Sequence, residues 1–169
     1  IKTVSDHSFQ EDPLRLLRCI RLYAELDFEI AAQTIELLKS NVYKINDISG
    51  ERIREEVFKI LSLSSTQDCF NILDEVGLIF EIMPELEKTQ NVLQPKEHHW
   101  DVFKHSINSA VMAGKILESN SEHGFVGTNI PEFPEMDMYF NEKISDGQTR
   151  LTFLKFTALL HDIGKPETR

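Results

Sequence analysis

Asp12 and Arg15 place a carboxylate and a guanidinium three residues apart at what reads as a helix start. Asp12 is positioned to cap that helix and Pro13 to open it, where a missing N–H costs nothing. Together they offer acceptors and donors on one turn, which is the chemistry needed to read the edge of a nucleobase. Arg15, Arg18 and Arg21 recur every third residue and so share a sector of the helix surface. Guanidiniums behind a base-reading pair can reach phosphates. Leu14, Leu17, Ile20 and Ala24 supply an apolar face. The same spacing also fits a capped amphipathic helix with solvated arginines, because short charge patterns match by chance.

Residues 11–30, EDPLRLLRCIRLYAELDFEI, resemble the nucleotide-recognition motif of class II tRNA nucleotidyltransferases and bacterial poly(A) polymerases. Residues 47–61, DISGERIREEVFKIL, resemble the next motif of that family at about the right distance. Residues 74–92, DEVGLIFEIMPELEKTQNV, match the body segment that follows. Residues 98–107, HHWDVFKHSI, with residues 159–169, LLHDIGKPETR, resemble the HD phosphohydrolase domain that many of these proteins carry. The resemblance implies that Asp12 and Arg15 act as a protein template. They hydrogen-bond the incoming CTP or ATP, with Arg18 directed to the triphosphate. It further implies a tRNA or other RNA 3′ end as acceptor, and no DNA. Mg²⁺ for nucleotidyl transfer would sit in a head carrying a Gly-Ser turn and paired aspartates. Residues 1–60 hold no such pattern. The chain is therefore expected to be an internal fragment, with none of the catalytic residues for transfer and only the first part of an HD domain. Arg52, Arg54 and Glu55 are expected to support the base-reading helix, with a buried Arg–Glu contact fixing its angle; the alternative is direct contact with the nucleotide.

A second site is expected at His105, His161 and Asp162. Imidazole and carboxylate suit a divalent ion that polarises a phosphate and a water. Here the resemblance implies Mg²⁺, Mn²⁺ or Ni²⁺. Adjacent His161 and Asp162 point about 100° apart on a helix, so both reach one ion only over the helix end, near Gly164. The alternative is a helix end with a histidine near its dipole and a solvated aspartate. The family's site has a further Asp beyond the HD pair, so the set is expected to bind metal poorly. His98 and His99 read as groups that orient the metal ligands, as contacts to a substrate phosphate, or as exposed linker residues. Lys165 reads as a phosphate neutraliser or an ordinary helix-end lysine. His7 and His123 have no partner in the sequence and take no role.

The 169 residues are 41% hydrophobic and 27% charged, which is globular composition. No apolar stretch approaches the ~20 residues that span a bilayer, and no signal peptide is visible. Cys19 and Cys69 lie far apart without metal spacing and are expected to be reduced thiols in a cytoplasmic protein. Net charge is −10, but residues 118–147 hold seven acids against Lys143 alone, and the rest carries only −4. A local arginine stripe can still face a polyphosphate.

The pattern predicts an all-α chain. Residues 1–88 would form the recognition neck and an RNA-binding-like body, and residues 89–169 a partial HD domain. Helices are expected over 13–26, 31–40, from Ser49, from Ser65 to a cap at Gly77, over 78–83, over 101–117 and over 151–163. Glu55 and Lys59 form an i,i+4 pair on the third. Residues 87–97 read as a linker. Residues 119–148 read as an acidic loop, with one helical turn near Met138. Three functions fit: part of an RNA 3′-end nucleotidyltransferase, a metal-dependent HD phosphohydrolase, and a non-catalytic nucleotide- or RNA-binding module.

Overall fold

Leu14, Leu17 and Ile20 are buried, as their helical spacing predicts, Ala24 is half-buried, and Leu16, outside the expected face, is wholly buried as well; the first part of the chain is assembled against them. The computed structural model describes residues 1–93, 100–117 and 133–168. Among the described residues the chain is all-α apart from 3₁₀ turns and one small hairpin. It divides into two compact units, Ile1–Lys88 and Thr89–Arg169.

The first unit contains α1 (Ser8–Glu11), α2 (Arg15–Glu25), α3 (Ala32–Asn41), a 3₁₀ segment (Val42–Asp47), α4 (Gly50–Ser62), α5 (Thr66–Glu75), α6 (Leu78–Ile82) and α7 (Pro84–Glu87). Helix α2 packs on both α4 and α5. Phe58, Ile60 and Leu61 of α4 are buried, as are Cys69, Phe70 and Leu73 of α5. Truncating a buried phenylalanine such as Phe70 would cost about 3–5 kcal/mol. Gly77, at φ +78, takes the left-handed position that ends α5 and lets α6 begin at once. Pro84 does more than stop α6. It occupies the first turn of α7, where no N–H is needed.

The start of α2 differs from expectation. Pro13 and Leu14 lie in a turn and the helix begins at Arg15. Asp12 still satisfies an orphan donor, since its Oδ1 accepts from the Leu14 N–H at 3.3 Å. The short α1 before it was not expected. Lys59 also departs from expectation: it reaches Glu56 at 2.8 Å, one residue along from Glu55.

The second unit contains α8 (Val102–Gly114), α9 (Met136–Asn141), β1 (Lys143–Ser145), β2 (Gln148–Thr149) and α10 (Arg150–Leu160). Asp101 caps α8 by accepting from the Lys104 N–H at 2.8 Å, and its other oxygen accepts from the Asn91 N–H at 3.0 Å. Thr149 caps α10 through the Thr152 N–H at 3.2 Å. Helices α8 and α10 pack along each other, with Val102, Phe103, Ile107 and Ala110 buried on one and Leu159 on the other.

The expected acidic loop lies partly outside the described residues, as do His98, His99 and His123. Its described part is ordered structure. Residues 136–141 form α9, where a helical turn was expected near Met138, and β1 pairs antiparallel with β2, which was not expected. Asp146 and Gly147, at φ 47 and 76, make the two-residue turn between the strands. Positive φ at both positions is what a type I′ hairpin requires, and Asp-Gly is its strongest sequence signal. The loop reading missed that signal.

Candidate nucleotide and metal sites

In the first unit, Arg15 and Arg18 line one cleft of about 760 Å³ on the outer side of α2. Its apolar surface comes from Val4, Phe9 and Leu22. Arg15 Nη1 donates to the Ser8 carbonyl and to Glu11 Oε2, both at 3.1 Å. Its Nε and Nη2 take no part in those bonds. Arg18 is exposed, and its guanidinium has no hydrogen-bond or ion-pair partner among the described residues. Two guanidiniums beside an apolar wall can take an anionic ligand that carries a flat ring.

Asp12 is not among the residues lining this cleft. Its Oδ1 faces Arg52 Nη2 of α4 at 3.6 Å. The sequence places Asp12 and Arg15 on one turn, and the fold gives them different neighbours.

Arg21 leaves the stripe altogether. Its Nε donates to Glu56 Oε2 at 2.9 Å, and the two side chains are only 15% and 6% exposed. Nη1 pairs with Glu25 of the same helix. The basic stripe is therefore Arg15 and Arg18, while Arg21 is a packing residue. Burial alone would raise the Glu56 carboxyl. The hydrogen bonds from Lys59 and Arg21 outweigh it and hold the group below its ordinary value. An Arg–Glu contact does tie α4 to α2, but through Glu56 in place of Glu55. The signal was present, because Ile53, Glu56 and Ile60 share the i, i+3, i+7 spacing of an inward face.

In the second unit, His105, His161 and Asp162 each offer a donor atom within 4.8 Å of the others. His105 sits in the first turn of α8. Helix α10 ends at Leu160, three residues earlier than expected, so His161 and Asp162 lie in the turn beyond it. At this helix end the two adjacent side chains converge, although neighbours on a helix point about 100° apart. His161 Nδ1 lies 2.7 Å from the Ala158 carbonyl and donates to it, which turns Nε2 toward Asp162. Asp162 Oδ2 lies 3.1 Å from His161 Nε2 and 3.6 Å from His105 Nε2. Lys165 Nζ reaches the same oxygen at 2.5 Å. Asp162 is only 11% exposed, so it is not the solvated aspartate of the alternative reading.

Donors bound at 2.0–2.1 Å from one ion stand at most about 4.2 Å apart. The three side chains fit a divalent cation after a small side-chain rotation. Their mixture of two imidazoles and one carboxylate suits Mn²⁺, Ni²⁺ or Zn²⁺ better than Mg²⁺ alone.

Comparison with known proteins locates a family match over residues 27–89, to the region described as the probable RNA and SrmB-binding site of polymerase A. The chain is also similar to the multifunctional CCA protein of Pseudomonas fluorescens, with 32% identity over 69% of this chain and 28% of that protein. It is similar to the multifunctional CCA protein of Nitrosococcus oceani, with 29% identity over 95% of this chain and 33% of the relative. The CCA-adding enzyme of Blochmanniella pennsylvanica is 34% identical over 54% of this chain and 23% of its own length. The chain thus spans about a third of the length of the curated relatives it matches, or less. No helix among the described residues is long and apolar enough to cross a membrane.

Proposed function

Because the chain belongs to the family of CCA-adding enzymes and poly(A) polymerases, we propose that its first unit serves nucleotide and RNA recognition in RNA 3′-end nucleotidyl transfer. The observation that carries this reading is the cleft on α2, where Arg15 presents unused donors and Arg18 is exposed. In this reading Arg15 donates to the base edge of CTP or ATP, and Asp12 accepts from its exocyclic amine. Arg18 faces the triphosphate, whose oxygens its guanidinium can hydrogen-bond. The helical body over residues 27–89 contacts the tRNA or other RNA.

Titrating the chain with CTP or ATP and following backbone amides by NMR tests this. Shifts concentrated on residues 1–5 and on α2, weakened by Arg18→Ala, are expected. Shifts elsewhere, or none at millimolar nucleotide, would contradict it.

A second reading concerns the other unit and rests on the His105–His161–Asp162 cluster. We propose that it holds a divalent ion of the Mg²⁺, Mn²⁺ or Ni²⁺ class, as an HD-type phosphohydrolase does. The ion would supply the positive charge that polarises a phosphoester and a water. His105 Nε2, His161 Nε2 and an Asp162 oxygen would hold it, with the Ala158 carbonyl fixing the His161 ring. Lys165 would exchange its Asp162 contact for a substrate phosphate.

A further inference from the structure

We propose that Asp101 is a positioning residue for His105, holding the first turn of α8 in the register that presents this imidazole to a metal ion. The proposal rests on the metal reading of His105, His161 and Asp162. Asp101 uses three acceptors. Its Oδ1 accepts from the Lys104 N–H at 2.8 Å, its carbonyl from the His105 N–H at 2.9 Å, and its Oδ2 from the Asn91 N–H at 3.0 Å. A helix cap needs only the first two. The third ties the helix start to residues 89–92, which bond to it at two further points. The Thr89 carbonyl accepts from the Phe103 N–H at 3.3 Å, and the Val92 carbonyl from the Val102 N–H at 3.1 Å. The four amides that open α8 are thus all bonded within the chain. Thr89, Val102 and Phe103 are buried, so water does not compete for these bonds.

Helix ends fray, and a ligand on a first turn moves with that fraying. Donors that share an ion must stay within about 0.5 Å of the productive geometry. The other two side chains of the cluster carry fixing bonds of their own. The Ala158 carbonyl holds the His161 ring, and Lys165 Nζ meets Asp162 Oδ2 at 2.5 Å. His105 rides on the turn that Asp101 starts. A slip of that turn by one residue would rotate the imidazole by about 100°, away from Asp162. The bond from Asn91 opposes that slip, because it anchors the capping carboxylate to a segment outside the helix. Asn91 itself sits at φ 57, where most replacements would strain the backbone, so Asp101 is the residue to alter.

The test measures Mn²⁺ affinity of the 169-residue chain by electron paramagnetic resonance, together with the thermal midpoint of each variant. Asp101→Ala should weaken Mn²⁺ binding by roughly tenfold, the lower end of what partners outside the ligand set contribute. Asp101→Asn keeps a capping oxygen but cannot accept at both positions, so its affinity should lie between those of Asp101→Ala and the unaltered chain. Thr149→Ala is the control. It removes the side-chain cap of α10 at the end opposite His161 and Asp162. It should lower the thermal midpoint comparably and leave Mn²⁺ affinity unchanged. Affinity that survives Asp101→Ala, or that falls equally in Thr149→Ala, would make Asp101 a helix cap only. That outcome overturns the proposal and leaves the metal reading standing. Asp101→Asn binding as tightly as the unaltered chain would show that the Asn91 bond has no part, and would overturn the proposal too. Asp101→Asn decides alone if Asp101→Ala does not fold. No Mn²⁺ binding by the unaltered chain, or binding that persists in His105→Ala, removes the metal reading and this proposal with it.

Discussion

Arg21 of α2 and Glu56 of α4 meet at 2.9 Å in a largely water-free contact, and Lys59 completes the shell around the carboxylate at 2.8 Å. A buried ion pair is weak evidence for stability when exchanged for apolar groups, but breaking one side of it strands a buried charge.

Glu56→Ala should therefore destabilise the fold by about 3–5 kcal/mol. Glu56→Gln, which keeps acceptor and shape, should cost less. Urea unfolding with an unchanged m-value checks both. The pH dependence follows from the lowered carboxyl. Below its folded pKa both states are protonated and the contribution is gone; above the ordinary value of 4.5 it is fully present. Stability should fall as pH drops below about 4.5. Glu56→Gln should flatten that acid limb, and an unaltered limb would contradict the account.

Both thiols should be slow to react in the folded chain. Burial pushes Cys19 up to about 11 and Cys69 up to about 12. Roughly a thousandth or less of either is thiolate at pH 8. Cys69 is wholly buried and lies 3.8 Å from the Ile20 carbonyl, whereas Cys19 keeps 7% exposure beside the α2 cleft. Disulfide-reagent kinetics should show Cys19 modified first, Cys69 far later, and both at once in urea. Rapid reaction of Cys69 under native conditions would mean that the α2–α5 packing is wrong.

The metal reading makes a separate demand. Mn²⁺ binding, followed by its electron paramagnetic resonance signal, should be weak and should disappear in His105→Ala and Asp162→Ala. Loss of a ligand should cost at least the roughly 10–100-fold that even an outer-shell change costs. Mn²⁺ binding that survives His105→Ala would show that the ion sits elsewhere.

Much of the architecture was legible because it rests on local signals. Leu14, Leu17 and Ile20 announce a buried helix face, and Gly77 announces a left-handed cap. Asp101 and Thr149 cap their helices with side chains that sequence alone marks as suitable. What escaped depends on tertiary choice. Arg15, Arg18 and Arg21 are equivalent in spacing, and only the approach of α4 turns Arg21 inward. Glu55 and Glu56 are neighbours of one type, and a rotation of about 100° decides which is buried. The hairpin at Asp146 and Gly147 was concealed by its acidic, glycine-containing surroundings. At the candidate metal cluster, sequence supplied the three residues. The early end of α10, at which they come together, was not readable from it.

The most direct measurement is base choice by the complete gene product carrying Arg15→Ala, assayed for CMP and AMP addition to an RNA 3′ end. Arg15 presents its Nε and Nη2 beside the α2 cleft, so its loss should relax C-versus-A selection more than it weakens triphosphate binding, which Arg18 would still support. Selection that is unchanged while triphosphate affinity collapses would contradict the account and make Arg15 a phosphate contact.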